Sequence, residues 1–392
     1  MEEVVILSAA RTAIGKYGKS LKGIKVTELG ATTLIEAIKR AKLSPADIEE
    51  CIMGNVVSTG VGQNPARQAA VAAGMPVEIG SYTVNDVCGS GLKSVMNAAD
   101  AIKAGEYNVI AAGGMESMSN VPYYVDNMRW GAVMGDQTMV DTMIHDGLWD
   151  IFSNQHMGIT AEIVAERFGI TRQDADKLSF DSNKNAAAAI ASGKFKKEIV
   201  PYVIRSKKGD TVFDTDEGVR ADTTMEALAK LRPAFKEGGM VTAGNSSQLS
   251  DGAAAVIVAS RSWADERGLK PLASVVAYGE RGVKPEFVME APIPTTEHVL
   301  KRAGMKMDDI DLFEHNEAFA TASCAVKKAL NVPDEIFNVN GGAVALGHPI
   351  GCSGSRILTS LIYELKQRHK ETGLCTLCLG GGNAVTMIIR RE

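Results

Sequence analysis

Four short stretches of this 392-residue chain carry side chains that could do chemistry together. In Thr83-Val84-Asn85-Asp86-Val87-Cys88-Gly89-Ser90-Gly91, a cysteine follows a β-favouring run. It precedes an apolar series at helical spacing, Leu92, Val95, Met96, Ala99 and Ile102, which Gly105 stops. Cys88 therefore falls where a strand hands over to a helix. The free amides and dipole of a helix start favour thiolate over thiol, the nucleophilic form, and the adjoining glycines let a substrate come close to the backbone. A buried structural cysteine reads the same way, so Cys88 alone leaves both readings open. Gly347-His348-Pro349 holds a histidine in a rigid turn. Brought to Cys88, its imidazole could take the thiol proton, the arrangement that makes a covalent catalyst of a cysteine. Leu377-Cys378-Leu379-Gly380-Gly381-Gly382 offers a second thiol at a strand end, followed by amides able to hold an oxyanion. Cys375 completes a Cys-x-x-Cys with Cys378. Residues three apart on a strand face opposite sides and there is no second pair, so Cys375 is assigned to the core. Glu314-His315-Asn316-Glu317-Ala318-Phe319 crowds polar groups behind a strand expected at Ile310–Phe313, whereas His145, His298 and His369 read as structural.

The elements that must position these groups come in two copies. A buried strand at Val4–Leu7 is followed by a helix apolar at Ala31, Leu34, Ile35 and Ile38, with Thr27 as its expected cap, and by a strand near Cys51–Val57. Arg40 stands as far from Arg302 as Asp47 does from Asp309, 262 positions (302 − 40; 309 − 47), and a strand follows each. Ser90-Gly91 recurs as Ser353-Gly354, and Val109-Ile110-Ala111-Ala112-Gly113-Gly114 as Thr376-Leu377-Cys378-Leu379-Gly380-Gly381. This is an internal duplication of one strand–helix unit. A pseudo-twofold axis between the copies would bring the Cys88 and His348 turns face to face. The second copy runs from its glycines straight into a last strand, Ala384–Ile389; the first reaches the equivalent Ala253–Ala259 only after residues 119–249. That insertion holds Met-rich irregular chain (115–157), a polar-faced helix from Thr171 to Ser192 with a capping-box start, and a charged loop, Lys207–Arg220, which suits a lid or ligand-holding part.

Composition narrows the class. A net charge of −5 without a Lys/Arg run argues against a nucleic-acid partner, and no apolar run reaches membrane-spanning length. Six scattered cysteines do not form a disulfide framework, and the acidic start Met1-Glu2-Glu3 is unlike a secretory leader, so a reducing cytoplasm is expected.

Taken together, Asn85-x-x-Cys88-Gly-Ser-Gly, Asn316-Glu317-Ala318-Phe319, Gly347-His348-Pro349-x-Gly351 and Cys378-x-Gly380-Gly381-Gly382 resemble the four signature blocks of the thiolases, in order and over the whole chain. Gln155-His156-Met157-Gly158, Lys230-Leu231-Arg232-Pro233 and Thr242-Ala243-Gly244-Asn245-x-Ser247 are similar to the short-chain acetyl-CoA acetyltransferase branch. The resemblance implies a five-layered αβαβα fold. Residues 1–118 with 250–270 would form one half and 271–392 the other, with 119–249 as an inserted loop domain for coenzyme A. It also implies a homotetramer of tight dimers, and acetyl-CoA, acetoacetyl-CoA and CoA as substrates and products, with no cofactor and no metal. By the same resemblance Cys88 takes the acetyl group, His348 activates it and Cys378 handles the proton of the second acetyl-CoA. Asn316, through a held water, helps His348 at the enolate oxygen, and the amides of Cys88 and Gly380 form the other oxyanion hole. Arg220 matches a position near the adenine and phosphates. Leu148, His156 and Ser247 match pantetheine contacts, with Met157, Ala243 and Phe319 beside them. The chain departs from the usual pattern in Asp86-Val87 for Gln-Leu, in His315 for Ala or Val, and in Val288-Met289-Glu290-Ala291-Pro292-Ile293-Pro294 for Met-Gly-x-Gly-Pro-x-Pro. None of these is one of the four catalytic positions. The activity expected is acetyl-CoA C-acetyltransferase, with a 3-ketoacyl-CoA thiolase of broader chain length as the alternative. A decarboxylating synthase would not need Cys378, and a non-catalytic CoA-binding protein would tolerate loss of Cys88 or His348.

Overall fold

The computed structural model describes residues 2–392. The first half runs β1 (Val4–Thr12), α1 (Val26–Arg40), β2 (Glu50–Gly54), α2 (Pro65–Ala72), β3 (Gly80–Val84), α3 (Ser90–Ala104) and β4 (Val109–Ser117). The inserted stretch carries α4 (Met157–Phe168) and α5 (Arg172–Ala191), after which β5 (Ser250–Ser260) completes the half. The second half repeats the order as β6 (Ala273–Gly282), α6 (Pro292–Ala303), β7 (Leu312–His315), α7 (Ala320–Ala329), α8 (Ser353–Arg368), β8 (Thr372–Leu379) and β9 (Asn383–Arg391). Strand order β3-β2-β4-β5-β1 in the first half is matched by β7-β8-β9-β6 in the second, which among the described residues has no strand between α7 and α8 to correspond to β3. The β2/β3, β2/β4 and β7/β8 pairs are parallel and the others antiparallel. The two sheets meet at β1 and β6, where Val5 faces Ser274 and Ile6 faces Ala273.

Alternation along the strands builds the layers, because neighbours on a strand point to opposite faces. Val5 and Leu7 of β1 and Val109 and Ala111 of β4 pack under Leu29, Leu34 and Ile38 of α1 and Ala66 and Ala69 of α2. Their neighbours Val4, Ile6, Ile110 and Ala112 face the other way, onto α3 (Leu92, Val95, Ala99) and α8 (Ile357, Leu361, Leu365). Those two helices also receive Cys375 and Leu377 of β8 and Val385 and Met387 of β9. On the far side Leu374 and Ile388 meet Val299 of α6 and Val326 of α7. The result is helix, sheet, helix, sheet, helix: the five-layered αβαβα fold.

α3 and α8 cross in the middle layer at the repeated Ser-Gly. A Cβ at Gly91 would fall 2.9 Å from the Gly351 carbonyl oxygen and the Ser355 amide. The equivalent Gly354 touches the Leu92 backbone. Only glycine permits that approach, and it brings the chain entering α3, with Cys88, against the chain entering α8, with His348.

Local details correct the sequence reading. Thr27 does not cap α1; the helix begins at Val26 behind Lys25 with no side-chain cap, and Ile35 is 49 % exposed rather than buried. The strand expected at Cys51–Val57 ends at Gly54, and the one expected at Ile310–Phe313 lies at Leu312–His315, so Glu314 and His315 are sheet residues. In the insertion, Thr171 and Asp174 do form a capping box at the start of α5. The loop Lys207–Arg220 contains a hairpin strand, Thr211–Phe213, and sends Asp216 inward. Arg11 of β1, fully buried, donates through Nε to Glu198 at 2.6 Å and through both terminal nitrogens to Asp216 at 2.7 and 2.9 Å, which fastens the insertion to the sheet. No helix among the described residues is long and apolar enough to cross a membrane.

Candidate active site

β3 delivers Cys88 through a tight turn. Asn85 Oδ1 accepts from the Val87 amide at 3.2 Å, while Ser90 Oγ accepts from the Asp86 amide at 2.9 Å and donates to the Val87 carbonyl at 2.7 Å. Between these clamps Val87 sits at φ 44, a conformation that a β-branched residue adopts only when its surroundings impose it. The Val87 side chain packs against Gly380, so the strained turn touches the glycine turn that follows Cys378.

Cys88, His348, Cys378 and Gly380 line one cavity of about 370 Å³. Leu148, His156, Met157, Ala243, Ser247 and Phe319 line it too. Of the positions singled out from the sequence, two are not on its wall. Asn316 is fully buried beside it, and Arg220 lies outside, its amide bonded to Asn183 Oδ1 of α5 at 2.9 Å. Arg220 follows Gly218 by two residues, and the Gly218 carbonyl accepts from Gln248, a wall residue, at 2.8 Å.

The halves are laced together around this cavity. Glu116, at the end of β4, accepts from Asn55 Nδ2 at 2.8 Å, from the Val56 amide at 3.0 Å and from the Gly351 amide at 2.9 Å, so a first-half carboxylate holds the turn after His348. The His348 amide donates to Gln248 O at 3.0 Å, and Ser247 N donates to Ala318 O at 2.9 Å. The lead-in to β5 thus joins the histidine turn to the Asn316–Phe319 stretch.

His348 has a defined tautomer. Its Nδ1 lies 2.5 Å from Ser353 Oγ, which is itself 3.0 Å from the Pro349 carbonyl oxygen. A carbonyl only accepts, so the single hydroxyl hydrogen of Ser353 goes to Pro349, and Ser353 accepts from His348 Nδ1–H. Nε2 is left with its lone pair, as a general base needs. The Asn316 amide nitrogen stands 3.5 and 3.4 Å from the two ring nitrogens and so is aimed at neither.

Electrostatics overturn one sequence expectation. The amides of Gly380 and of Cys88 itself are aimed at the sulfur and favour the thiolate, but desolvation of the half-buried sulfur among apolar side chains outweighs them and pushes the thiol up. Burial likewise raises Cys378 to about 12. Burial, with a smaller contribution from the charge on Arg356, holds His348 down at about 3. At rest the site is two neutral thiols beside a neutral imidazole.

Several participants were not legible in the sequence. Ser353 appeared only as part of the repeat, and Glu116 not at all. Phe235 stacks on His156 at 4.7 Å and meets Phe319 edge-on at 6.0 Å. The Met-rich stretch signalled Met118 and Met143, which line the cavity, without saying what they do. Among the described residues no cluster of His, Cys, Asp or Glu is placed to hold a metal ion.

Known proteins match along the full length. Residues 4–262 match the thiolase N-terminal domain and residues 269–391 the thiolase C-terminal domain. An acetyl-CoA acetyltransferase of Syntrophomonas wolfei is 51% identical over 393 residues, covering 99% of this chain and 98% of that protein. One from Cupriavidus necator is 49% identical with both chains fully covered, and a probable acetyl-CoA acyltransferase of Staphylococcus aureus 47%. The crystal structure of the Bacillus anthracis acetyl-CoA acetyltransferase superposes with a TM-score of 0.98 at 42% identity, covering 100% of this chain and 99% of that one. Both halves, the insertion between them and the crossing at their centre are those of an acyltransferase fold matched end to end: the chain belongs to the thiolase family.

Proposed function

We infer that the chain is an acetyl-CoA C-acetyltransferase, joining two acetyl-CoA reversibly into acetoacetyl-CoA and CoA. The observation that carries the mechanism is that Cys88, Cys378 and a His348 with a free Nε2 line one largely apolar cavity. Thiols desolvated by an apolar wall rest protonated, so charge appears as protons are handed on with the chemistry. His348 Nε2 takes the Cys88 proton as the sulfur attacks the thioester carbon of the first acetyl-CoA. The tetrahedral oxyanion faces the amides of Cys88 and Gly380. The carbon–sulfur bond to CoA breaks, Cys378 gives its proton to the departing sulfur, and the acetyl group stays on Cys88. Cys378, now a thiolate, removes a methyl proton from the second acetyl-CoA. His348, now an imidazolium, and Asn316 stabilise the enolate oxygen. The enolate carbon attacks the acetyl-Cys88 carbonyl, the bond to Cys88 breaks, and the Cys88 sulfur recovers its proton from His348. All three groups end as they began.

The insertion, residues 119–249, is proposed to hold coenzyme A. Leu148, His156, Met157, Ala243, Ser247 and Phe319 would line the pantetheine arm, and Arg220, outside the cavity, would meet the phosphate end. A homotetramer fits the exposed apolar side chains of Tyr123, Trp130, Val133, Met134 and Met139 in the insertion, a surface suited to another protein copy, and the cytoplasm remains the proposed location from the scattered, unpaired cysteines.

The test separates the two thiols. Incubation with acetyl-CoA should add one acetyl mass to the peptide bearing Cys88, and Cys88→Ala should abolish it. Cys378→Ser should still be acetylated but lose exchange of acetyl-CoA methyl protons with solvent. An acetyl group on another residue, or unchanged exchange in Cys378→Ser, rejects the assignment.

A further inference from the structure

Cys88 and Cys378 share a cavity but not its walls. Cys88 packs with Val56, Met118, Met143 and Ile350, and Ile144 extends the same side of the cavity. Cys378 packs in a separate cluster with Val288, Met289 and Phe319. The Met289 thioether is 2 % exposed, lines the cavity, and stands with Sδ 3.7 Å from Cys378 Sγ, accepting from the thiol. Resting on the reading that Cys378 handles the proton of the nucleophilic carbon, we propose that Met289 determines which substituent that carbon can carry, and that it restricts the enzyme to substrates unsubstituted there.

The argument is one of contact distances. A carbon that exchanges a proton with Cys378 must approach its sulfur to roughly 3–3.5 Å. A hydrogen on that carbon fits beside a thioether already touching the same sulfur. A methyl branch needs about 3.5–4.0 Å to each neighbouring heavy atom, and Met289 occupies that side. Nor can Met289 withdraw easily. Val288 before it is fully buried, and Glu290 after it accepts from Arg167 of α4 at 3.0 and 3.2 Å, while that guanidinium also lies 3.9 Å over the Phe287 ring. Pro292 then opens α6, so the segment is pinned at both ends.

The acyl tail on the carbon bonded to Cys88 meets a different wall. Met143 and Ile144 open a single π-helical stretch, Met143–Leu148, in which Ile144 is 40 % exposed, so that wall is held less tightly than the one at Met289. In a 3-ketoacyl-CoA the two positions are chemically distinct: a branch at C2 meets Met289, and a longer tail beyond C3 meets Met143 and Ile144. Met289 should therefore discriminate against branching at C2 and have little influence on tail length.

The test is thiolysis of acetoacetyl-CoA, 2-methylacetoacetyl-CoA and 3-oxohexanoyl-CoA by the wild type, Met289→Gly and Met289→Val. The wild type should prefer the unbranched over the 2-methyl substrate by tenfold or more in kcat/KM, the scale of one misplaced methyl group. Met289→Gly should shrink that preference roughly tenfold, with Met289→Val between, and the 3-oxohexanoyl to acetoacetyl ratio should move less than about threefold. Acetylation of Cys88 by acetyl-CoA checks that each variant is folded. If Met289→Gly is not, Met289→Val decides alone, since a smaller β-branched side chain must already relax the preference. A wild type that accepts both C4 substrates equally, a preference unchanged in the folded variants, or an equal gain for the branched and long substrates overturns the proposal. A wild type unable to cleave acetoacetyl-CoA at all would instead overturn the activity on which it rests.

Discussion

Ser353 decides which nitrogen of His348 does the work. With its own hydrogen committed to the Pro349 carbonyl, it can only accept from Nδ1–H, and it thereby aims a bare Nε2 at the cavity. Ser353 is a positioning residue, since it touches the base and not the substrate. Ser353→Ala should cost kcat on the order of 10–100-fold, at or below the lower edge of the roughly 100–10,000-fold that general-base catalysis supplies because the base itself remains, while KM for acetyl-CoA stays within about twofold. Ser353→Thr, which keeps the hydroxyl, should recover much of the loss. Equal kcat in Ser353→Ala and the wild type, or a loss confined to KM, would mean the tautomer is set some other way.

At the scale of elements, the site depends on how closely α3 and α8 cross. Each begins immediately after a catalytic turn, and each presents a glycine to the other's first turn. Their N-termini are not free to drift apart or together without moving Cys88 against His348. Gly354→Ala places a methyl group against the Leu92 backbone and 2.7 Å from its Cβ, where neither helix can yield cheaply. Overpacking of that kind costs roughly 1–3 kcal/mol. The variant should therefore unfold at lower temperature and acetylate Cys88 more slowly. A variant matching the wild type in both thermal unfolding and acetylation rate would show that the crossing has slack.

For the molecule as a whole, burial of neutral titratable groups shapes stability against pH. Burial holds both His315, whose Nδ1 meets Ser323 Oγ at 2.9 Å, and His348 at about 3, far below the ordinary histidine value. Below pH 6.5 the unfolded chain binds protons that the folded chain refuses, so stability is lost as pH falls. Two buried carboxyls work in the opposite sense. Glu116, raised to about 7, and Glu314, raised to about 8, both by burial first, take up protons in the folded state before the unfolded one does, so their contribution grows as pH falls from 8 toward 4.5. His315→Val removes one histidine without touching a carboxyl or a cavity-lining residue. Between pH 6.5 and 5 it should lose roughly 1–2 kcal/mol less stability than the wild type, the linkage of a proton uptake that rises from half to nearly one over that interval. Urea unfolding at the two pH values measures the difference, and an identical loss in both proteins would place the acid sensitivity elsewhere.

The sequence by itself determined whatever is local or repeated. Cys88 could be placed between strand and helix because a β-favouring run, two glycines and a 3.6-residue apolar period are local signals. The duplication was legible because equal separations survive in the chain. The signature blocks around Cys88, Asn316, His348 and Cys378 were enough to name the family and the fold. What tertiary structure alone decided is which groups exclude water and which meet across the halves. The helix-start argument for a Cys88 thiolate failed because it counted the dipole and amides but not desolvation, which depends on chain hundreds of residues away. Thr27 was taken as a cap because its residue type allows it, but the chain is already helical at Val26, one residue earlier. Ser353 was visible only in the repeat and Met289 only in a block that departs from the usual pattern; neither pattern gives the contact of Ser353 with His348 or of Met289 with Cys378, 89 residues further on. Spacing and dihedral preference act along the chain, whereas contact and solvent exclusion exist only once the halves have closed on each other.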